Sequence, residues 1–243
     1  MTTTVVVTGA SGGLGRAVVA ELLAQGYQVL ALDRNPIFDG EDGVLSVGVD
    51  LADFPAVTRA LKRRSTPVGA IIHCAAEQPL GEVGNGVSVD SWTRAFLVNV
   101  LALEHIVSEL RRDLAATAPR RIISIGSIHE STTSVNLAPY SISKAALRAW
   151  VRAAAIDLGP SGVCTVGISA GAINSPKLDE GLARFPNPDQ AREHLVSQLP
   201  VGRVVEPRDL AVLCLFLLRE EAMHFNGSSL TFDGGASSLL ATE

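Results

Sequence analysis

Tyr140 and Lys144, in the run YSISK, stand four residues apart, so on a helix they project from one face a turn apart. A phenol ordinarily titrates near about 10, too high for proton exchange at neutral pH; an ammonium group within ~4–6 Å favours the phenolate. The pair is therefore a candidate general acid/base for moving a proton on or off a carbinol oxygen. By itself this spacing also describes a Tyr and a Lys on a solvated helix face, so its meaning depends on its surroundings. A second candidate is TGASGGLG, residues 8–15. Glycines there let the backbone approach a pyrophosphate at a helix N-terminus, where free N–H groups and the helix dipole favour an anion. Asp33 lies eighteen positions beyond Gly15 and closes the apolar run YQVLALD. A carboxylate there can accept hydrogen bonds from both hydroxyls of an adenosine ribose and would repel a 2′-phosphate. Arg34 follows directly and could soften that exclusion.

These groups need elements to hold them. The β-branched run Thr3 to Thr8 reads as a buried strand, followed by a helix from Gly13 to Gln25 that Gly26 ends and a second strand from Tyr27 to Asp33. Further strands are expected at Val44–Asp50, Gly69–Cys74, Arg120–Ser127, Val163–Ser169 and Ser229–Phe232. Between them fall a helix capped by Asp53 and running to Arg64, a long helix from Ser88 to Leu114 holding Asn99, a helix from Pro139 to Leu158 holding YSISK, and one from Pro207 to Leu218. The polar link 34–43 is short for a parallel crossover and predicts a helical turn or none. Residues 176–205, rich in Pro and charge, read as a mobile substrate lid. Alternating strands and helices imply an α/β fold: a Rossmann-type, doubly wound parallel sheet of about seven strands with helices on both faces, forming a single domain over 1–243. Ligands of such a sheet bind outside the carboxyl ends of its strands, where every motif above lies.

Composition narrows the partners. With 47% hydrophobic and 19% charged residues the chain describes a globular protein, and a net charge of −5 argues against nucleic acid. Cys74, Cys164 and Cys214 are widely spaced in apolar runs, which predicts reduced thiols in a cytoplasmic protein and no metal site. No signal peptide is expected from MTTTVVVTG, and Leu210 to Leu218 is too short to span a bilayer.

Together the motifs resemble the short-chain dehydrogenase/reductase family, in its compact single-domain branch, from end to end. The TGxxxGxG turn is present as Thr8, Gly9, Gly13 and Gly15; Ser127 lies thirteen residues before Tyr140; Asn99 sits in LVNVLA; PVGRVVEPRDLA and LTFDGG also fit. The resemblance implies an NAD-dependent oxidoreductase, NADP being disfavoured by Asp33, that interconverts a secondary alcohol and a carbonyl. It implies Tyr140 as proton acceptor, Ser127 as the group binding the substrate oxygen, Lys144 on the nicotinamide ribose, and Asn99 holding a water that links Lys144 to solvent. It also implies cofactor contacts at Ser11, Leu14, Arg34, Asp50, Leu51, Cys74, Ala75 and Ala76, and at Gly171, Ile173 and Ser175. The departures are His73-Cys74-Ala75-Ala76 where the family has NNAG, and Ala170-Gly171 where it has PG. His73 reads as a structural histidine replacing an asparagine's sheet-bridging bonds.

Substrate and assembly follow less directly. Ile128-His129-Glu130, with Glu77-Gln78 and GAINSP, is similar to bacterial glucose 1-dehydrogenases and related sugar or polyol dehydrogenases. Glu77, Gln78, His129, Glu130, Asn174 and Lys177 are expected at the pocket mouth, with Glu77, Ser127, His129 and Tyr140 meeting substrate. Such polar groups favour a small ligand rich in hydroxyls. The alternatives are a 3-oxoacyl thioester or other small-ketone reductase, and a catalytically silent nucleotide-sensing regulator. Apolar residues around the helices 88–114 and 139–158 predict a homodimer or homotetramer built through them.

Overall fold

The chain, described here as a computed structural model over residues 3–239, builds one sheet; the two ends of the expected 1–243 span lie outside the described residues. Its strands are β1 (Thr4–Thr8), β2 (Gln28–Asp33), β3 (Val44–Gly48), β4 (Val68–His73), β5 (Arg121–Ile125), β6 (Cys164–Ala170) and β7 (Ser229–Phe232). All neighbours are parallel, in the order β3-β2-β1-β4-β5-β6-β7. Every residue of β1, β4, β5 and β6 is buried, as continuous apolar runs must be when helices cover both sheet faces.

Alternation along each strand assigns the two cores. Val5 and Val7 of β1 pack toward α1 (Gly13–Ala24) and α8 (Pro207–Leu217), through Val18, Leu22, Leu210 and Leu217. Val6 faces the other way, into a core completed by α2 (Phe54–Leu61), α4 (Ala102–Ala116) and α5 (Ala138–Leu158), through Val57, Leu103, Ile106 and Leu147. Asp53 caps α2 as expected, accepting from the Ala56 N–H at 2.9 Å. No helix joins β2 to β3, so the 34–43 link is an open turn. The strand order reverses between β1 and β4, which opens a crevice at their carboxyl ends.

One expectation is corrected and another gains detail. The helix expected over 88–114 is three pieces: α3 (Val89–Phe96), a π turn (Leu97–Leu101) around Asn99, and α4. The segment read as a mobile lid holds α6 (Pro176–Leu182) and α7 (Pro188–Ser197). Each begins with proline at its first position behind a capping side chain, Ser175 accepting from Leu178 N–H and Asn187 from Gln190 N–H. The charge and proline content read as a lid belong to these two short, solvent-facing helices.

β5, which carries the chain to Ser127, is pinned by Arg121. Its guanidinium, 1% exposed, donates to the carbonyls of Pro119, Leu217 and Arg219 at 2.7, 3.1 and 2.8 Å, closing the C-terminal end of α8. Arg121→Met fills similar volume but strands those carbonyls. It should cost roughly 3 kcal/mol of stability, read as a lower urea midpoint with an unchanged slope.

Candidate active site

The carboxyl edge of the sheet gathers the sequence-predicted residues. Gly9, at φ +63°, turns the chain out of β1, and a Cβ on Gly15 would stand 2.1 Å from the Gly9 carbonyl oxygen. Only glycine lets the first turn of α1 sit this close to the strand. No side chain caps α1 at Gly12, so its leading N–H groups face the crevice without a side-chain partner. Asp33 accepts from Ser11 N–H at 3.1 Å through one oxygen and from Asn35 N–H at 3.0 Å through the other, which ties the glycine turn to the end of β2. Gly13 lies against Ser175 Cβ, and Gly171 against Asp233, so the segment after β6 closes onto the turn. Ile173 bridges to Val205, and Ser175 Oγ donates to the Ile173 carbonyl at 3.2 Å. Leu14 and Leu51 are buried, Cys74 N–H donates to the Thr8 carbonyl at 3.2 Å, and burial pushes the Cys74 thiol up to about 12. An uncapped helix N-terminus, a glycine cradle that a Cβ would fill and a carboxylate at the end of β2 fit a dinucleotide.

Behind the crevice lies a buried hydrogen-bond clasp. Asn99 accepts the Glu77 N–H at 2.7 Å, donates to the Glu77 carbonyl at 2.9 Å and donates to Ser143 Oγ at 2.8 Å. Ser143 in turn donates to the Tyr140 carbonyl at 2.7 Å. Both amide protons of Asn99 are thus spent on the β4 edge and α5, so the side chain has no donor left for a water near Lys144. Ser143, inside YSISK, was not singled out from sequence; its place three residues after Tyr140, next to Lys144 on a helix, was the available signal. His73 supports the same clasp. Its Nδ1 lies 2.8 Å from the Thr8 hydroxyl, which accepts from Ala75 N–H at 3.3 Å. The ring proton is therefore assigned to Nε2, which faces the Val98 and Asn99 carbonyls of the π turn without meeting either in full hydrogen-bond geometry.

Ser127, 5% exposed, follows β5 and caps a short turn by accepting from His129 N–H at 3.2 Å. Lys144 is 2% exposed; its ammonium donates to the Ile125 carbonyl at 2.7 Å and lies 5.7 Å from the centroid of the Tyr140 ring. Burial draws Lys144 down to about 8, against the charge of Glu130. Burial pushes the Tyr140 phenol above its ordinary value, the Ser127 hydroxyl pulls it back, and Glu130 pushes it up again. The Lys144 ammonium is directed to the Ile125 carbonyl rather than to the phenol, and the half-buried Tyr140 is raised, not lowered, from its ordinary value. His129 stands edge-on to Tyr140 at 6.0 Å between ring centroids; its buried Nδ1 has no partner, and burial holds the ring below its ordinary value.

Other residues expected at the pocket mouth are placed elsewhere. Glu130 is buried, with its side chain 2% exposed, where it accepts from Ser229 Oγ at 2.8 Å and lies 3.6 Å from Arg148 Nε. Glu77 turns its carboxylate to Arg34 at 3.3 Å and Arg94 at 3.2 Å, and Arg94 also holds Asp50 at 2.7 Å, so the carboxylate expected on substrate belongs to an ion cluster. Arg94 keeps the Asp50 carboxyl below its usual range. Glu77, Gln78 and Lys177 line an open cleft of about 450 Å³ with Arg94 and the start of α3, separate from Tyr140. Asn174 donates to Glu206 at 3.1 Å.

His73 makes the acid limit of this arrangement measurable. Burial and the positive charge of Lys144 draw it from 6.5 down to about 3. Below pH 6.5 the unfolded chain binds a proton that the folded one refuses. The histidine's contribution is therefore intact above that pH and is lost as pH falls toward 3, by about 2 kcal/mol between pH 7 and pH 5. Urea midpoints at those two pH values should fall less in His73→Asn than in the wild type; an equal fall would show that His73 titrates normally.

Comparison with known proteins agrees with this geometry. Residues 9–237 match the family described as Enoyl-(Acyl carrier protein) reductase. The L-xylulose reductase of Bos taurus is 30% identical over 245 residues, covering 97% of this chain and 96% of that protein. Protein FixR of Bradyrhizobium diazoefficiens is 30% identical over 94% of this chain and 84% of its own length. Among solved structures, an oxidoreductase of the short chain dehydrogenase/reductase family from Burkholderia thailandensis superposes with a TM-score of 0.87 at 27% identity, over 98% of this chain and 94% of that one. The aldohexose dehydrogenase of Thermoplasma acidophilum shares the fold, with a TM-score of 0.91 at 20% identity over 100% of this chain and 96% of that one. A seven-stranded parallel sheet with a glycine cradle, and a Ser, Tyr and Lys at its carboxyl edge, is what these relationships account for: the chain belongs to the short-chain dehydrogenase/reductase family of oxidoreductases.

Proposed function

We propose that the protein interconverts a secondary alcohol and a carbonyl in a small sugar or polyol, with NAD as cofactor. When bound, the dinucleotide supplies or accepts the hydride. The chain's own groups handle the oxygen and its proton. Tyr140 gives its phenolic proton to the substrate oxygen in reduction and recovers it in oxidation, while the Ser127 hydroxyl donates to the same oxygen as charge develops there. Lys144 carries the positive charge behind Tyr140 and holds the nicotinamide ribose. The clasp from Asn99 through Ser143 fixes where Tyr140 stands. Ser11, the N-terminus of α1 and the segment around Ile173 hold the phosphates and the nicotinamide end, and Asp33 holds the ribose hydroxyls.

The observation that carries the substrate class is His129. A histidine ring edge-on to the proton-transfer tyrosine puts a polar side chain beside the reacting oxygen, where a ligand rich in hydroxyls is favoured over an apolar one. The 30% identical L-xylulose reductase supports a polyhydroxylated substrate. The family description, naming an acyl carrier protein, favours a thioester ketone as the second reading. The π turn exposes Leu101 and α5 exposes Ile142 and Ile156, which supports a homodimer, or a homotetramer containing it, through this face; our reading of the protein is a cytoplasmic one.

Steady-state rates on a panel of sugars, polyols and an acetoacetyl thioester test the substrate reading. Efficient turnover of the thioester with silence on the polyols would replace it. Because Tyr140 is held as a phenol, oxidation should accelerate as pH rises above neutral and reduction as it falls; kcat/KM profiles of the same slope in both directions would contradict that role. Tyr140→Phe should abolish turnover while cofactor binding persists, and Ser127→Ala should cost kcat on the order of 10²–10³. NAD should exceed NADP in kcat/KM.

A further inference from the structure

A row of alternating charges crosses the cofactor crevice. Asp50 lies beyond the end of β3, Arg94 on α3, Glu77 beyond the end of β4, and Arg34 beyond the end of β2. Arg94 joins Asp50 at 2.7 Å to Glu77 at 3.2 Å, and the same Glu77 oxygen takes Arg34 at 3.3 Å. One carboxylate oxygen is thus shared by two guanidinium groups from opposite sides of the crevice. It is held in place from behind, since Asn99 grips the backbone of Glu77 at both its N–H and its carbonyl. Arg34 has no such support: its side chain is 60% exposed, and Glu77 is the one carboxylate within ion-pair reach of it among the described residues.

From this geometry we propose that Glu77 is a cofactor-specificity residue, which draws Arg34 across the crevice and keeps its guanidinium from the ribose position beside Asp33. The proposal rests on the reading of Asp33 as the ribose anchor. Arg34 adjoins Asp33 at the end of β2, where an arginine can receive a 2′-phosphate as a bidentate pair. Tethered to Glu77, it leaves the Asp33 carboxylate unopposed, and a 2′-phosphate meets repulsion alone. Glu77 therefore excludes NADP at a distance, by occupying the cation that would otherwise admit it. Its own charge adds to the exclusion but does not depend on Arg34, which makes the two contributions separable.

Binding of NADH and NADPH, followed by nicotinamide fluorescence in the absence of substrate, tests this in the wild type, Glu77→Gln, Arg34→Gln and the double variant. Gln keeps the backbone that Asn99 grips. The wild type should prefer NADH, and Glu77→Gln should narrow that preference by about tenfold, the worth of one charge-assisted contact. The Arg34→Gln change should lower NADPH affinity by less than about twofold while Glu77 is present and by about tenfold once it is gone. An unchanged ratio in Glu77→Gln, or equal effects of Arg34→Gln in both backgrounds, overturns the tether while leaving Asp33 as ribose anchor. A wild type that prefers NADPH overturns the Asp33 reading and the proposal together.

Discussion

The site depends on the Asn99 clasp. One buried amide spends three hydrogen bonds, two on the backbone of Glu77 and one on Ser143, and so joins the edge of β4 to α5. A regular helix through residues 88–114 would present a different side chain at this depth. The π turn inserts one extra residue per turn and sets Asn99, fully buried, against both partners. With the clasp in place, Ser143 holds the Tyr140 carbonyl, and Lys144, one residue on, reaches the end of β5 at Ile125. His73, whose Nε2 faces the π turn, is held to the Thr8 hydroxyl through its Nδ1. Proton-transfer group and cofactor crevice are thus positioned by one polar knot inside an apolar core, where each unmade bond would be costly.

Electrostatics divides the same edge in two. Near Tyr140 the charges are weakly screened by water: Lys144, buried, is drawn down to about 8, and the phenol is raised. Near the adenosine end the charges are partly exposed and paired in a row, so each pair contributes little to stability but each decides where its neighbour points. Glu77 belongs to the second region through its carboxylate and to the first through its backbone.

The fold was largely legible in the sequence because continuous β-branched runs, the glycine turn and proline-led helix starts are local signals. Asp53 as a cap, the missing helix at 34–43 and the strand at Ser229–Phe232 all follow from such signals. What was not legible depends on partners distant in sequence. The π turn sets Asn99 against Glu77 and Ser143, twenty-two and forty-four residues away in sequence. Glu77 and Glu130 read as mouth residues through the similarity to sugar dehydrogenases; their arginine and serine partners come from other elements. The spacing of Tyr140 and Lys144 carries no information about desolvation or about the Ile125 carbonyl that takes the ammonium.

The central claim is that burial holds Tyr140 as a phenol, ready to give a proton. The chain has two tyrosines, Tyr27 and Tyr140, so Tyr27→Phe leaves Tyr140 as the only phenol. Titrating the ultraviolet tyrosinate band of that variant without cofactor reads its protonation directly. The account predicts that the band emerges only above pH 10, the ordinary phenol value. A band already developed at about pH 8 would show that Lys144 outweighs burial and that Tyr140 stands ready as a base.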